Sequence, residues 1–231
     1  MRVFIDVETI PSQAPDARDL VRATIRPPGN FRKPESIAAW METEGEAAIE
    51  EAYRKQGLDA TSGELISIAW CSDTSEVKTA TRAPGEPEVE LLDRFFSGVT
   101  DLLHAEAVAA ADGRRYPADP FFVAHSAAFD LGFIWRRSII LGLPAPFKIP
   151  SPTAREGKDF GCTMLTWAGH RGTVSLDRLC RALGITSPKG DLDGSKVFDA
   201  WLAGEIDRIA AYNAADVATV RSIWRRLNWE A

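Results

Sequence analysis

The chain opens with an apolar run, Val3-Phe4-Ile5, that passes directly into Asp6-Val7-Glu8. β-Branched and aromatic residues at that density make a short buried strand. A strand has a period of two, so Asp6 and Glu8 share one face while Val7 takes the other. Two carboxylates at the end of a buried strand repel each other and lose solvation unless a cation compensates them. A fold built on this strand must therefore open its end to water or offer the acids a positive partner. These residues alone leave both readings open.

Other short apolar runs supply further strands: Leu65–Trp70, Val77–Thr81 and Phe121–Ala124. The opening strand should stop at Ile10-Pro11, and 11–30 is rich in Pro, Asp, Arg and Gly and reads as irregular. Helical spacing appears over 34–56, with Gly45 as a break, and over 91–103 and 129–141. Leu143–Lys158 carries four prolines and reads as a loop. Ser175 can cap a helix that Gly184 ends, and helical patterning then runs to Leu227 with an interruption near Gly204. Strands first and helices interleaved later predict one mixed α/β domain.

The 231 residues carry a net charge of -6, which argues mildly against charge-driven binding to nucleic acid. The average conceals an asymmetry. Residues 1–110 balance to -9 and residues 111–231 to +3. Cys71, Cys162 and Cys180 lack the spacing of a zinc site or a disulfide scaffold. Met1–Asp6 has no signal-peptide pattern, and no apolar run approaches the roughly 18 residues of a membrane span. The expectation is a soluble, cytoplasmic protein without a membrane partner.

Two more acids stand where an acid is costly. In Phe122-Val123-Ala124-His125-Ser126-Ala127-Ala128-Phe129-Asp130, a strand turns into a helix with Asp130 in the first turn. That Asp can favour the positive helix end, or project into the crevice at the strand ends where α/β sheets place ligands. His125 can pack and hydrogen-bond, or ligate a metal. Farther on, Tyr212 and Asp216 lie at i and i+4, on one helical face among Ala and Val. An unpaired carboxylate there is expensive. Taken together, four acids and a phenol suit two hard cations, Mg²⁺ or Mn²⁺, some ~3.5–4 Å apart, an arrangement adapted to phosphodiester hydrolysis.

At these residues the chain resembles the DEDD superfamily of 3′–5′ exonucleases. F-I-D-V-E-T, A-H-S-A-A-F-D and Y-N-A-A-D-V-A-T follow the order of the three exonuclease motifs. The narrower resemblance is to standalone predicted exonucleases related to the proofreading domain of family B DNA polymerases. It is carried by Ile10-Pro11 and by S-L-D-R-L-C-R-A-L-G-I and P-K-G-D-L-D-G-S-K-V. The resemblance implies a ribonuclease H-like α/β fold, a mixed sheet with flanking helices. It implies a single exonuclease domain over 1–231, with an irregular or helical insertion at about 11–62. Asp6, Glu8, Asp130 and Asp216 would be the metal-binding acids, and Tyr212 would assign the chain to the tyrosine-containing subgroup. Two departures stand out: Ser126 replaces the usual Asn, and Cys162-Thr163-Met164-Leu165 replaces an Asp-Leu segment.

The implied reaction is stepwise release of nucleoside 5′-monophosphates from the 3′ end of a single strand, DNA in preference to RNA. His125, Ser126, Lys189, Lys196 and Asn213 are candidates for substrate contact, although the lysines can equally be solvated loop residues. Arg114-Arg115, Arg136-Arg137 and Arg225-Arg226 are candidates for the strand backbone. Phe31, Trp40, Phe160 and Trp167 are candidates for base stacking, with core packing the alternative for each. The rivals are an exoribonuclease, a noncatalytic 3′-end binding module and an α/β interaction protein with coincidental acids.

Overall fold

A computed structural model describes residues 1–110, 119–187 and 190–230. The chain resolves into two compact units, one of Met1–Glu8 with Leu65–Ala231 and one of Thr9–Glu64. In the larger unit a five-stranded sheet has the order β3-β2-β1-β4-β5. Its strands are β1 (Arg2–Pro11), β2 (Gly63–Ser72), β3 (Lys78–Thr81), β4 (Phe121–Ala124) and β5 (Gly161–Cys162). β4 lies parallel to β1 with Phe4 opposite Val123, and β5 lies parallel to β4. β3 is antiparallel to β2. The sheet is therefore mixed. Helices flank it, as the alternation of patterns predicted.

In chain order the larger unit's helices are α4 (Glu88–Ala110), α5 (Ala127–Ile140), α6 (Thr163–Ala168), α7 (Leu176–Leu183), α8 (Val197–Leu202) and α9 (Ile206–Leu227). Strand periodicity sorts them. Phe4, Ala69, Cys71 and Val123 share one sheet face and bury Val217, Val220 and Trp224 of α9. Phe122 and Trp70 face the other way and meet Phe95 of α4 at ring distances of 6.5 and 5.5 Å. Both docked helices need small partners. A Cβ on Gly161 would come within 2.5 Å of the Trp224 ring, and one on Gly98 within 2.2 Å of Trp70.

Ser175 caps α7 as expected, its hydroxyl accepting from the Arg178 amide, and Gly184 ends the helix at φ 66°. The break near Gly204 falls between α8 and α9. Several elements depart from expectation: α4 runs over Glu88–Ala110 rather than 91–103. α5 begins at Ala127, two residues early, and neither the two-residue β5 nor α6 behind it carries a pattern that predicts it. The Arg136-Arg137 pair is not a paired strand contact. Arg137 is buried and its guanidinium reaches Glu88 at 2.5–3.1 Å. Consecutive helical positions point about 100° apart. Arg225 is likewise tied to the Asp73 carbonyl, and Arg114-Arg115 lie outside the described residues. Among the described residues, no helix is long and apolar enough to cross a membrane.

The smaller unit holds α1 (Ala17–Thr24), α2 (Pro34–Thr43) and α3 (Gly45–Lys55), so Gly45 does divide two helices. α1 falls within the stretch that reads as irregular. Only Ala17 and Val21 are buried on it, and much of its support is ionic: Arg18 pairs with Glu50 and Arg22 with Glu46 of α3. Arg18 also lies over the Tyr53 ring. Part of the acidic excess of the first half is spent in these pairs.

Glu88 is the buried anchor of the larger unit, taking the Leu65 amide at 2.8 Å as well as Arg137. Glu88→Ala leaves a buried guanidinium without this carboxylate, a loss expected at about 3–5 kcal/mol. Denaturant titration checks this against Arg136→Ala, whose guanidinium bonds a carbonyl of its own helix and whose loss should cost under about 1 kcal/mol.

Candidate metal centre

Two elements of the larger unit bring the acids together. Beyond Phe4, the same face of β1 continues through Asp6 and Glu8. Before Val217, the sheet-facing stripe of α9 continues back through Asp216, Asn213 and Tyr212. Docking of Phe4 against Val217 and Val220 thus carries the acidic middle of β1, which runs on to Pro11, over one acidic helical turn. The result is a group in which ligand oxygens of Asp6, Glu8 and Asp216 all lie within 4.8 Å of one another, with Glu8 and Asp216 buried and Asp6 half-buried.

Asp130 sits in the first turn of α5, buried, and stands beside this group without joining it. Its charge reaches the others. Burial comes first in raising Asp6 well above the usual carboxylate range, followed by repulsion from Asp130, Glu8 and Asp216. Glu8 is pushed up to about 8 by burial, then by Asp216 and Asp130. Asp130 is raised to about 7, chiefly by burial, while backbone amides of Val7, Asp130 and Ser126 pull the other way. The Tyr212 phenol is raised by burial and by the surrounding acids, so it keeps its proton. Among the described residues, no Lys or Arg pairs with Asp6, Glu8 or Asp130.

The donor set fits a hard cation. It is all oxygen and strongly anionic, the choice of Mg²⁺ or Mn²⁺ rather than zinc. Asp130 Oδ2 is buried without a hydrogen-bond partner, as is Asn213 Oδ1. A buried oxygen left this way is costly unless something else satisfies it.

The remaining candidates separate clearly. Asn213 is fully buried, and its Nδ2 donates to Asp6 Oδ2 at 2.9 Å. That bond fixes which Asp6 oxygen stays available, so Asn213 positions a ligand from inside the fold. His125 has both ring nitrogens engaged, Nδ1 with the Thr163 hydroxyl and Nε2 with the Val174 carbonyl, each at 2.9 Å. Burial lowers its pKa, and the neutral ring donates through Nε2. Ser126 is the cap residue of α5, where its carbonyl accepts the Phe129 and Asp130 amides. Lys196 is exposed and held at 3.1 Å by Asp193. Lys189 lies outside the described residues. Cys162, at the second departure, is a buried thiol that donates to the His125 carbonyl. The Thr163 hydroxyl is a structural partner that the sequence did not signal.

Residues 117–229 match the model of a family described as predicted 3′–5′ exonucleases related to the exonuclease domain of PolB. No curated protein matches the chain. The matched segment holds Asp130, Tyr212 and Asp216, whereas Asp6 and Glu8 lie outside it.

Raised carboxylates give the metal-free protein a characteristic pH response. Between the ordinary carboxylate range and about pH 8, the native state holds protons on Glu8 and Asp130 that the unfolded chain has released. This contribution to stability is intact at low pH and is lost as pH rises through that window. Thermal melts in EDTA should therefore fall from acid towards pH 8, and saturating Mn²⁺ should flatten the slope. Asn213→Ala should weaken Mn²⁺ binding by about ten- to a hundredfold, the worth of one hydrogen bond to a charged group, as read by calorimetry.

Proposed function

We propose, from the match of residues 117–229 to predicted 3′–5′ exonucleases related to the proofreading exonuclease of family B DNA polymerases, that the chain hydrolyses phosphodiester bonds from the 3′ end of single-stranded DNA. Its products are nucleoside 5′-monophosphates. The observation that carries this reading is the convergence of Asp6 and Glu8, outside the matched segment, with Asp216 inside it. A nuclease segment lacking half its acids gains them from the first strand. The mixed sheet with flanking helices supports a ribonuclease H-like exonuclease fold, with the 9–64 unit as an insertion into one exonuclease domain.

Two Mg²⁺ or Mn²⁺ ions, when bound, would supply Lewis-acid activation of water and charge neutralisation at the phosphate. Asp6, Glu8 and Asp216 would hold them, with Asp130 completing the set from α5. The protein's own groups do the rest. Asn213 orients Asp6. Tyr212, protonated, one helical turn before Asp216 and hydrogen-bonded to it, would hold the attacking water in line with the scissile bond once a cation takes up that carboxylate. Hydrogen bonds from His125 to Thr163 and Val174 brace the strand end from which Asp130 departs.

A time course on 3′- and 5′-labelled DNA and RNA oligonucleotides tests the reading. The expected outcome is shortening from the 3′ end alone, faster on DNA and abolished by EDTA. Asp6→Ala should lower the rate by about a hundredfold or more, corresponding to the several kcal/mol of charge stabilisation that a bound metal supplies. Internal fragments as first products, or undiminished cutting by the variant, would overturn it.

A further inference from the structure

The acid cluster can hold a reacting phosphate but offers nothing to grip the strand behind it. β1, β4 and β5 are mutually parallel, so their C-terminal ends lie at one edge of the sheet. α6 starts directly from the end of β5, and its Met164 amide bonds the His125 carbonyl at 3.2 Å. The segment entering α7 is pinned to the same strand end through Val174. Between α6 and α7 lies a cavity of about 280 Å³, lined by Trp167, Ala168, Thr173, Val174, Arg178 and Ala182.

The chemistry of this cavity is one-sided. No acid lines it. Trp167 is 49% exposed, with its ring open beside this cavity. Phe160 is buried, and Phe31 and Trp40 pair with each other at 6.4 Å in the smaller unit. Arg178 is exposed, as are His170 and Arg171 in the turn leaving α6. That turn is held tightly: a Cβ on Gly172 would strike the Ala168 carbonyl oxygen at 2.2 Å, and Arg171 is locked at φ 67°. Among the described residues no carboxylate pairs with Arg171 or Arg178, whereas Arg181, farther along α7, is held by Asp177.

We propose that the α6–α7 cavity is a strand-binding subsite for single-stranded nucleic acid, in which one base stacks on Trp167 while its flanking phosphates lie against Arg178 and Arg171. An indole face takes any base, and guanidinium groups suit phosphate oxygens. The subsite is sequence-tolerant and accepts a strand that has left its duplex. It sits at the sheet edge to which Ser126 and the start of α5 also belong. The proposal rests on the nuclease reading of the acid cluster, and it explains how a chain of net charge -6 holds a polyanion.

Equilibrium binding of a fluorescein-labelled oligodeoxythymidylate in EDTA, read by anisotropy over a salt series, tests the subsite apart from the chemistry. Trp167→Ala is expected to weaken binding by about tenfold or more, the worth of one base stack, and Trp167→Phe to restore most of it. Arg178→Ala is expected to reduce the slope of log K against log salt by about 0.7, one single-strand phosphate. Wild-type affinity and slope in both alanine variants overturn the subsite, even if the acid cluster cleaves DNA. Weakened binding in those variants alongside cleavage that Asp6→Ala does not diminish leaves the subsite standing and removes the nuclease reading.

Discussion

The larger unit depends on an opposition between one hydrophobic contact and one electrostatic one along the same pair of elements. Val217, Val220 and Trp224 dock α9 on Phe4, Ala69, Cys71 and Val123. Burial of such side chains is worth roughly 1.5–3 kcal/mol each. Immediately before Val217 on the same helix, and just beyond Phe4 on the same face of the strand, the contact forces Asp216 against Asp6 and Glu8. The apolar term fixes the geometry, and the acids must accept it. Without a cation they do so by keeping protons, which is why Glu8 rises to about 8 and Asp130 to about 7.

The same arrangement explains why the chemistry and the family match divide the chain differently. The matched segment contains the helix that bears Tyr212 and Asp216 and the strand-to-helix turn that bears Asp130. The first strand is outside it, yet pairing of Phe4 with Val123 sets β1 against the matched β4 in a fixed register. Hydrogen-bond register, rather than closeness in sequence, completes the site. Net charge misleads for a related reason. Some of the acids are concentrated where a cation can bind them, others are matched with arginines on α1, and two exposed arginines, Arg171 and Arg178, lie at or beside the α6–α7 cavity.

What could be read in advance follows from how local each signal is. Asp6 and Glu8 obey a two-residue period, Tyr212 and Asp216 a helical turn, and the Ser175 cap and Gly184 stop act within a few residues; all were legible. β5 is two residues long and has no period to detect. α1 has two buried side chains and takes its ionic support from residues more than 20 positions away, so its own pattern is weak. Arg137 looked like half of a basic pair because its partner, Glu88, lies 49 residues away. The exclusion of Asp130 from the close group was equally invisible, since it depends on where the first turn of α5 begins.

The hydrogen bond from Asn213 to Asp6 spans 207 positions of the chain. The acids on β1 are made before the helix that completes the group. Until α9 has been made and has docked, Asp6 and Glu8 lack Asp216, so the close group of three does not exist. A chain whose translation stops between β1 and α9 therefore carries the first strand's acids but no assembled acid group.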